Sequence, residues 1–193
     1  MTTVEQTQFI LIVDVETTGL DPQRDEVVEL GALLIRLQWR PQMTARVVNS
    51  YVGLREPMAR SWSSAFAIHG ISPAEVRGQR LHEETVAGLI CKADGIIAHN
   101  APFDRAFLVR LFPAARSRPW RCSMHQIPWS RYGHPSRRLG ALAADYDLAV
   151  SVAHRAETDC MTLYRVLLQQ DSRGWPHLHR LVAQPPLLPP EKY

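Results

Sequence analysis

Residues 9–16 read FILIVDVE, a short run of aliphatic, aromatic and β-branched residues that ends with two acids, and they give the clearest indication of the fold. Polar residues precede it and the turn-forming TTGLDP follows it, which predicts a buried strand. Asp14 and Glu16 are two positions apart, so their side chains leave the same face of that strand near its carboxyl end. The two acids can therefore share one site.

Further segments extend this strand into an α/β fold. EVVELGALLIRLQ and RVVNSYVGLRE, separated by a break at residues 40–42, predict two more strands in a meander. Beyond them GIIAHN indicates a short buried strand and residues 120–129 indicate another. Helical periodicity is present in HEETVAGLICKA, APFDRAFLVRLF, RRLGALAADYDL and AETDCMTLYRVLLQQ. The pattern predicts a mixed central sheet flanked by helices.

A chain of 193 residues is expected to form one domain. We expect that domain to span residues 1–176, followed by an extension, 177–193, whose Pro-rich end QPPLLPPEKY is a disordered tail or a partner-binding segment. No apolar stretch approaches the ~20 residues of a membrane span, and residues 1–8 do not resemble a secretory signal. These features predict a cytoplasmic protein, with three widely spaced cysteines that are reduced.

The charge distribution points to a polyanionic partner. The net charge is only +3, but residues 105–144 contain eight arginines and no acidic residue. A preference for arginine codons would explain 20 Arg against 2 Lys, yet it does not remove Asp and Glu from forty residues. We therefore expect this stretch to include a surface that attracts nucleic acid.

Carboxylates recur at positions that can converge. Asp14 and Glu16 on adjacent same-face positions would repel by about 4 kcal/mol at ~4 Å and an effective dielectric of ~20, which a divalent cation or a proton offsets. The alternative is that both acids point to solvent at the strand end. Asp104 falls in the first turn of a helix, where the dipole favours an anion. His154 and Asp159 would diverge by ~140° on one helix, so they meet only if His154 lies in the preceding loop.

Three blocks carry a family resemblance: DVETTGLDP, HNAPFD and HRAETDC. In this order and spacing they resemble the DEDDh exonucleases, the group that includes polymerase proofreading subunits and ribonuclease T, over residues 9–168. The resemblance implies a ribonuclease H-like fold with a five-stranded mixed sheet of strand order 3-2-1-4-5. A departure occurs at Cys122 and Ser123, where the family often has an acidic residue and a Thr.

The resemblance also implies the catalytic roles. Asp14, Glu16, Asp104 and Asp159 would hold two divalent cations, Mg²⁺ with Mn²⁺ able to substitute, and Asp14 would touch both ions. His154 would be the general base, because an ordinary imidazole can accept a proton from water near neutral pH. The products would be nucleoside 5′-monophosphates.

Five further residues are expected to contact substrate: Thr17, Thr18, Leu20, Asn100 and Phe103. Thr17 and Thr18 would offer backbone N–H and hydroxyl groups to the terminal nucleotide, and Leu20 and Phe103 would wedge against its base unless they belong to the core. Asn100 has the alternative role of capping the helix that carries Asp104, which we favour.

Other ring-bearing residues are expected to be structural. We expect His69, His99 and His125 to support the fold. Trp120, Trp129 and Tyr132 are interleaved with the basic stretch and could stack on bases, although a role in the core or at the surface is favoured.

The sequence thus predicts a metal-dependent 3′-to-5′ exonuclease that trims single-stranded or mismatched DNA ends in proofreading or repair. An RNA exonuclease of the same family is the near alternative, since no residue identifies a 2′-hydroxyl contact. A non-catalytic nucleic-acid-binding protein is the more distant one. The expected partners are a single-stranded 3′ end, a polymerase or a second copy of the chain, and no membrane.

Overall fold

A computed structural model describes residues 7–39, 43–149 and 154–188. The predicted break at 40–42 lies outside these residues, as do residues 1–6 and 189–193. The five strands are β1 (Thr7–Thr17), β2 (Val27–Gln38), β3 (Thr44–Leu54), β4 (Gly95–Ala98) and β5 (Trp120–Cys122). The α-helices are α1 (Ser63–His69), α2 (Pro73–Val76), α3 (Glu83–Lys92), α4 (Ala101–Leu111), α5 (Ser123–Gln126), α6 (Leu139–Asp145), α7 (Ala156–Leu168) and α8 (His177–Ala183).

The strands form one sheet in the order β3-β2-β1-β4-β5. β1 and β2 pair antiparallel, as do β2 and β3, whereas β4 is parallel to both β1 and β5. This mixed five-stranded sheet flanked by helices is the ribonuclease H-like fold with the strand order that the family resemblance implied.

The central strand β1 is covered on both faces, which explains its continuous apolar run. Leu11 and Val13 face a core shared with α3 and α4, and Ile10 and Ile12 face a second core shared with α7 and α8. All four side chains are at most 1% exposed. The period of two that separates these cores also sends Asp14 to the face covered by α7.

β1 and β4 separate at their carboxyl ends. Their parallel pairing runs from Ile10 with Gly95 to Ile12 with Ile97 and then stops, while β1 continues to Thr17. In an open α/β sheet, the crevice beyond the carboxyl ends of such strands is the usual place for a ligand. The predicted site lies there.

The region predicted as a strand over residues 120–129 is mostly not a strand. Only Trp120–Cys122 pairs with β4, and the chain then turns into α5 and a 3₁₀ helix, Trp129–Tyr132. The Nε1–H of Trp129 donates to the carbonyl of Ser123 at 2.8 Å, which holds this turn closed.

The expected extension is packed on the domain as far as residue 188. Leu178 and Leu181 of α8 are fully buried in the core that also contains α7. Trp120 and Leu188 exchange backbone hydrogen bonds of 2.8 and 3.2 Å. Prolines prevent a helix here, but an extended segment can pair with the outer edge of β5. The prediction of a disordered tail is therefore wrong for residues 184–188.

Within the described residues no helix combines the length and the apolar character that crossing a bilayer requires.

Candidate active site

The described residues enclose a cavity of about 600 Å³ where β1 and β4 separate. The structure brings all five predicted catalytic side chains to its walls: Asp14, Glu16, Asp104, His154 and Asp159. They come from four places in the chain, namely β1, the first turn of α4, the loop before α7 and the first turn of α7. Residues that are far apart in the sequence therefore form one site.

Glycine at position 31 lets α7 approach the sheet beside Asp14. Gly31 is the β2 residue paired with Asp14, and a Cβ placed on it would lie 2.4 Å from the carbonyl oxygen of Ala156. That distance is far below van der Waals contact, so any larger residue would push the first turn of α7 away. The position of Asp159 over β1 depends on this absence of a side chain.

A buried ion pair fixes the start of α7 to β2. Glu29 is 1% exposed and lies opposite Glu16 on the paired strands. Its carboxylate accepts hydrogen bonds from Nε and Nη2 of Arg155 at 3.0 and 2.6 Å, and from the backbone N–H of Ala156 at 2.8 Å. The pair is bidentate and also places a negative charge at the amino end of the helix. We call it the Glu29–Arg155 clamp.

Sequence reasoning missed the clamp and Gly31. Two signals were available: Glu29 is an acid in a strand that is otherwise apolar from Val27 to Ile35, and Arg155 directly follows His154. An acid inside a buried strand requires a partner, but the sequence does not say which of 20 arginines supplies it.

His154 lies in the loop before α7, as its angular relation to Asp159 required. Its backbone is in the left-handed region, with φ of 60°, a conformation in which histidine is several-fold enriched among non-glycine residues. Ligand atoms of His154, Glu16 and Asp159 all lie within 4.8 Å of one another. The imidazole is therefore next to the acids and on the solvent side, because His154 is exposed.

Asp104 is the fourth carboxylate of the cluster and lies in the first turn of α4. It is 3% exposed, and its Oδ1 accepts the backbone N–H of Val15 at 3.2 Å. Val15 lies beyond the point where β1 pairs with β4, so Asp104 replaces the missing strand as a hydrogen-bond acceptor. Asn100 occupies the cap position of α4 but makes no capping hydrogen bond through its side chain. The favoured capping role is therefore wrong, and Asn100 instead lines the cavity.

Burial and the neighbouring carboxylates raise the pKa values of the acids in the cluster. Burial, followed by repulsion from Asp104 and Glu16, holds the pKa of Asp14 well above its usual value. Burial and then Asp159 raise the pKa of Glu16 to about 8.

Asp104 and Asp159 are shifted in the same direction. Burial raises the pKa of Asp104 to about 7, against the backbone hydrogen bonds that favour its ionised form. Burial also raises the pKa of Asp159, and His154 opposes that shift. Because the four carboxyls resist ionising together at neutral pH, the cavity favours a bound positive charge. Oxygen donors of this kind suit hard cations such as Mg²⁺ and Mn²⁺.

The residues predicted to contact substrate do not all reach the cavity. Phe103 lines it while also packing against the core, and its contact with a base remains a prediction. The hydroxyl of Thr17 donates to the carbonyl of Gly19, and that of Thr18 donates to Asp25, so these side chains hold the turn after β1. Neither Thr lines the cavity.

Leu20 lies at the tip of that same turn and is 81% exposed. Packing in the core is therefore excluded for Leu20. Its side chain is outside the set that lines the cavity, so contact with a nucleotide remains a prediction.

Two of the three histidines expected to be structural are held inside the fold. His69 accepts the N–H of Ile71 at 3.0 Å and contacts the carbonyl of Thr17, and His99 contacts Ser123 Oγ at 2.8 Å. Ser123, one of the two departures from the family pattern, thus supports a wall of the cavity. His125 is exposed instead.

The aromatic residues of the basic stretch belong mainly to the interior. Trp120 and Trp129 are 0% and 3% exposed, and Tyr132 is half-buried against His177. Their expected role in the core is confirmed for both tryptophans.

The chain belongs to the RNase_T exonuclease family, whose sequence profile matches residues 11–167. It is similar to the PolC-type DNA polymerase III of Mycoplasmopsis pulmonis, with 28% identity over 86% of this chain and 12% of that polymerase. It is also similar to the DNA polymerase III subunit epsilon of Rickettsia prowazekii, with 37% identity over 51% of this chain and 42% of that subunit. The chain thus spans less than half the length of either relative. The predicted resemblance to the DEDDh exonucleases is confirmed.

Solved structures give the same fold. Exonuclease X in complex with 5′ overhanging duplex DNA aligns with a TM-score of 0.59 and 26% identity, over 82% of this chain and 88% of that one. Exonuclease I of E. coli in complex with a dT13 oligonucleotide aligns with a TM-score of 0.68 and 19% identity, over 90% of this chain and 43% of that one.

The raised carboxyl pKa values predict a distinctive pH dependence of stability in chelator. Between about pH 6.5 and 8 the unfolded carboxyls are already ionised, whereas Asp104 and Glu16 in the folded protein still bind protons, with pKa values of about 7 and about 8. The folded state binds more protons, so stability falls as pH rises through this window. We expect the melting temperature to drop by several degrees, at about 2–4 °C per kcal/mol for a domain of this size.

Millimolar Mn²⁺ should restore the melting temperature, and the gain should be larger at pH 8 than at pH 6.5, because cation ligands must be deprotonated. Differential scanning fluorimetry measures both effects, and Glu16→Gln serves as the matched variant that flattens the profile. A pH-independent melting temperature in chelator would contradict the electrostatic account.

The clamp predicts that Arg155→Ala impairs both stability and catalysis. Loss of Arg155 leaves the Glu29 carboxylate buried without its main partner, which should lower the free energy of unfolding by about 2 kcal/mol or more. It also frees the first turn of α7, so turnover should fall even where the protein remains folded. Urea unfolding and nuclease assays measure the two losses. Arg165→Ala, on the exposed side of the same helix, is the control; equal behaviour of the two variants would refute the role of the clamp.

Proposed function

We propose that this chain is a two-metal-ion 3′-to-5′ exonuclease that removes nucleotides from single-stranded or mismatched DNA 3′ ends, as in proofreading or repair. The observation that carries the proposal is the convergence of Asp14, Glu16, Asp104 and Asp159 with His154 on one open cavity. An inactive relative would have no need to keep four mutually repelling carboxyls together.

The donor set fits a pair of divalent cations. Asp14 lies at the centre of the cluster, because repulsion from both Asp104 and Glu16 raises the pKa of its carboxyl. It is therefore the ligand best placed to contact both cations. Two bound Mg²⁺ or Mn²⁺ ions would polarise the phosphate, favour ionisation of the attacking water and balance the charge on the departing 3′ oxygen. Glu16, Asp104 and Asp159 would complete the protein ligands.

The residues of the chain supply the remaining parts of the reaction. His154 lies at the exposed edge of the cluster, where its imidazole accepts the proton of the attacking water and passes it to solvent. The Glu29–Arg155 clamp keeps the loop and the first turn of α7 in register with β1 during that step. Hydrolysis on this geometry releases a nucleoside 5′-monophosphate.

The cavity wall suits one terminal nucleotide. Phe103 offers an aromatic edge for a base, and Asn100 offers amide groups that its position at the start of α4 leaves facing the cavity. Stacking of this type contributes about 1–3 kcal/mol per base and tolerates any sequence. An unpaired end is favoured because a base must separate from its partner to enter.

We favour DNA as the substrate because the names of the similar proteins refer to DNA. One relative is named as a PolC-type DNA polymerase III and the other as the epsilon subunit of DNA polymerase III, and the two aligned exonuclease structures contain DNA. A polymerase is accordingly the proposed protein partner. RNA is the alternative that the assay must test, because the described cavity contains no feature that identifies a 2′-hydroxyl contact.

The decisive assay compares 5′-labelled single-stranded DNA, matched RNA and a duplex with a 3′ mismatch. We expect stepwise shortening from the 3′ end that requires Mg²⁺ or Mn²⁺, stops in chelator and is fastest on unpaired DNA. Asp14→Asn should lower turnover by at least about 10²-fold, because it removes the charge of the shared ligand. Cleavage in metal-free buffer, or full activity of Asp14→Asn, would refute the proposal.

His154→Ala in the same assay separates two roles for the imidazole. A general base contributes about 10²–10⁴-fold to the rate, so the variant should lose turnover while it binds Mn²⁺ with unchanged affinity. Weaker Mn²⁺ binding in isothermal titration calorimetry would instead make His154 a ligand.

A further inference from the structure

A second, smaller cavity lies next to the candidate active site. It has a volume of about 260 Å³ and is lined by residues from 124–130 and 134–137. Met124 lines both cavities, and the consecutive Arg137 and Arg138 line the second and the first respectively. We call the second cavity the side groove. The two cavities are neighbours along one wall.

His99 makes that shared wall rigid. Its ring lines the main cavity, its Nε2 lies 2.7 Å from the carbonyl oxygen of Arg137, and its own carbonyl accepts the N–H of Met124 at 3.1 Å. The backbone of Arg137 is therefore tied to the floor of the active site. Its side chain remains exposed.

The charges of the side groove suit phosphate. No acidic residue lines it, and its exposed ionisable residues are Arg137 and His125. A third, His134, is buried, with its Nδ1 2.9 Å from a carboxylate oxygen of Asp145. Within the described ranges no carboxylate pairs with the guanidinium of Arg137. A cavity of about 120 Å³ behind the turn after β1 differs in that its lining includes two acids, Asp25 and Glu26, beside Arg55 and Arg110, and Arg55 is paired with Glu26 at 3.1 Å.

The remaining lining of the side groove suits bases. Met124, Pro128 and Pro135 supply accessible apolar atoms beside the buried Ile127 and Trp129, and Ser130 and Ser136 add hydroxyl groups. Apolar surface next to isolated cations matches the chemistry of a single nucleic-acid strand, which alternates flat bases with phosphates.

We propose that the side groove binds the nucleotides immediately 5′ of the one being released, with Arg137 holding a backbone phosphate and Arg138 holding the phosphate nearer the cluster. This inference rests on the proposed exonuclease function and assigns the path of the substrate strand away from it. It also gives a use to part of the arginine stretch that lacks acidic residues. The strand leaves the cluster along the wall formed by His99 and Met124.

The test compares substrates of increasing length. Wild-type kcat/KM in Mg²⁺ should rise from dithymidylate to hexathymidylate, because only the longer strand reaches the side groove. Arg137→Ala should lower the ratio of hexathymidylate to dithymidylate kcat/KM by roughly tenfold, the loss expected for one charge-assisted hydrogen bond. Arg137→Glu should lower it further. Arg173→Ala, an exposed arginine beyond the far end of α7, is the control and should leave the ratio unchanged.

A second readout uses binding alone. In Ca²⁺ the salt dependence of hexathymidylate affinity should lose about 0.7 of its logarithmic slope in Arg137→Ala, the value for one phosphate contact on a single strand. The proposed role of the side groove would be wrong if wild-type kcat/KM did not rise from dithymidylate to hexathymidylate. It would also be wrong if the Arg137 variants behaved like Arg173→Ala. If wild-type protein cleaves neither substrate, it is the proposed function that fails, and the binding slope still decides the groove.

Discussion

The close approach of α7 to β2 at Gly31 is the contact on which the site depends. Ala156 can lie against the sheet only because position 31 has no side chain, and the Glu29–Arg155 clamp holds it there. This contact carries Asp159 and His154 across to β1. Without it, Asp14 and Glu16 would be two acids at the end of a strand, with nothing opposite them to complete a site.

Bringing the acids together raises the free energy of the folded protein, because the four carboxyls are at least partly buried and repel one another. Burial and mutual repulsion raise the pKa values of the carboxyls, so the protein without cations favours their protonated forms. Strain of this kind is tolerated where it serves a function, because a ligand that neutralises it recovers the energy. The same surroundings that destabilise the isolated fold at higher pH therefore favour divalent cations and a phosphate.

The sequence predicted what depends on local pattern and on the three spaced motifs. Strand β1, the sheet order and the convergence of the five candidate side chains on one cavity follow from FILIVDVE and from the resemblance. Contacts between distant segments were not predictable: nothing in a single sequence pairs Glu29 with Arg155, or shows that Leu20 is exposed while the hydroxyl of Thr18 is engaged. Likewise, prolines in the tail exclude a helix but do not reveal that the edge of β5 accepts residue 188.

Anomalous scattering from crystals grown in Mn²⁺ would locate the cations bound by the four carboxylates. We expect two manganese peaks ~3.5 to 4 Å apart, with Asp14 between them and with Glu16, Asp104 and Asp159 as the other protein ligands. Saturating Mn²⁺ that left these four carboxylates without an ion, or that bound only elsewhere on an active protein, would contradict this expectation.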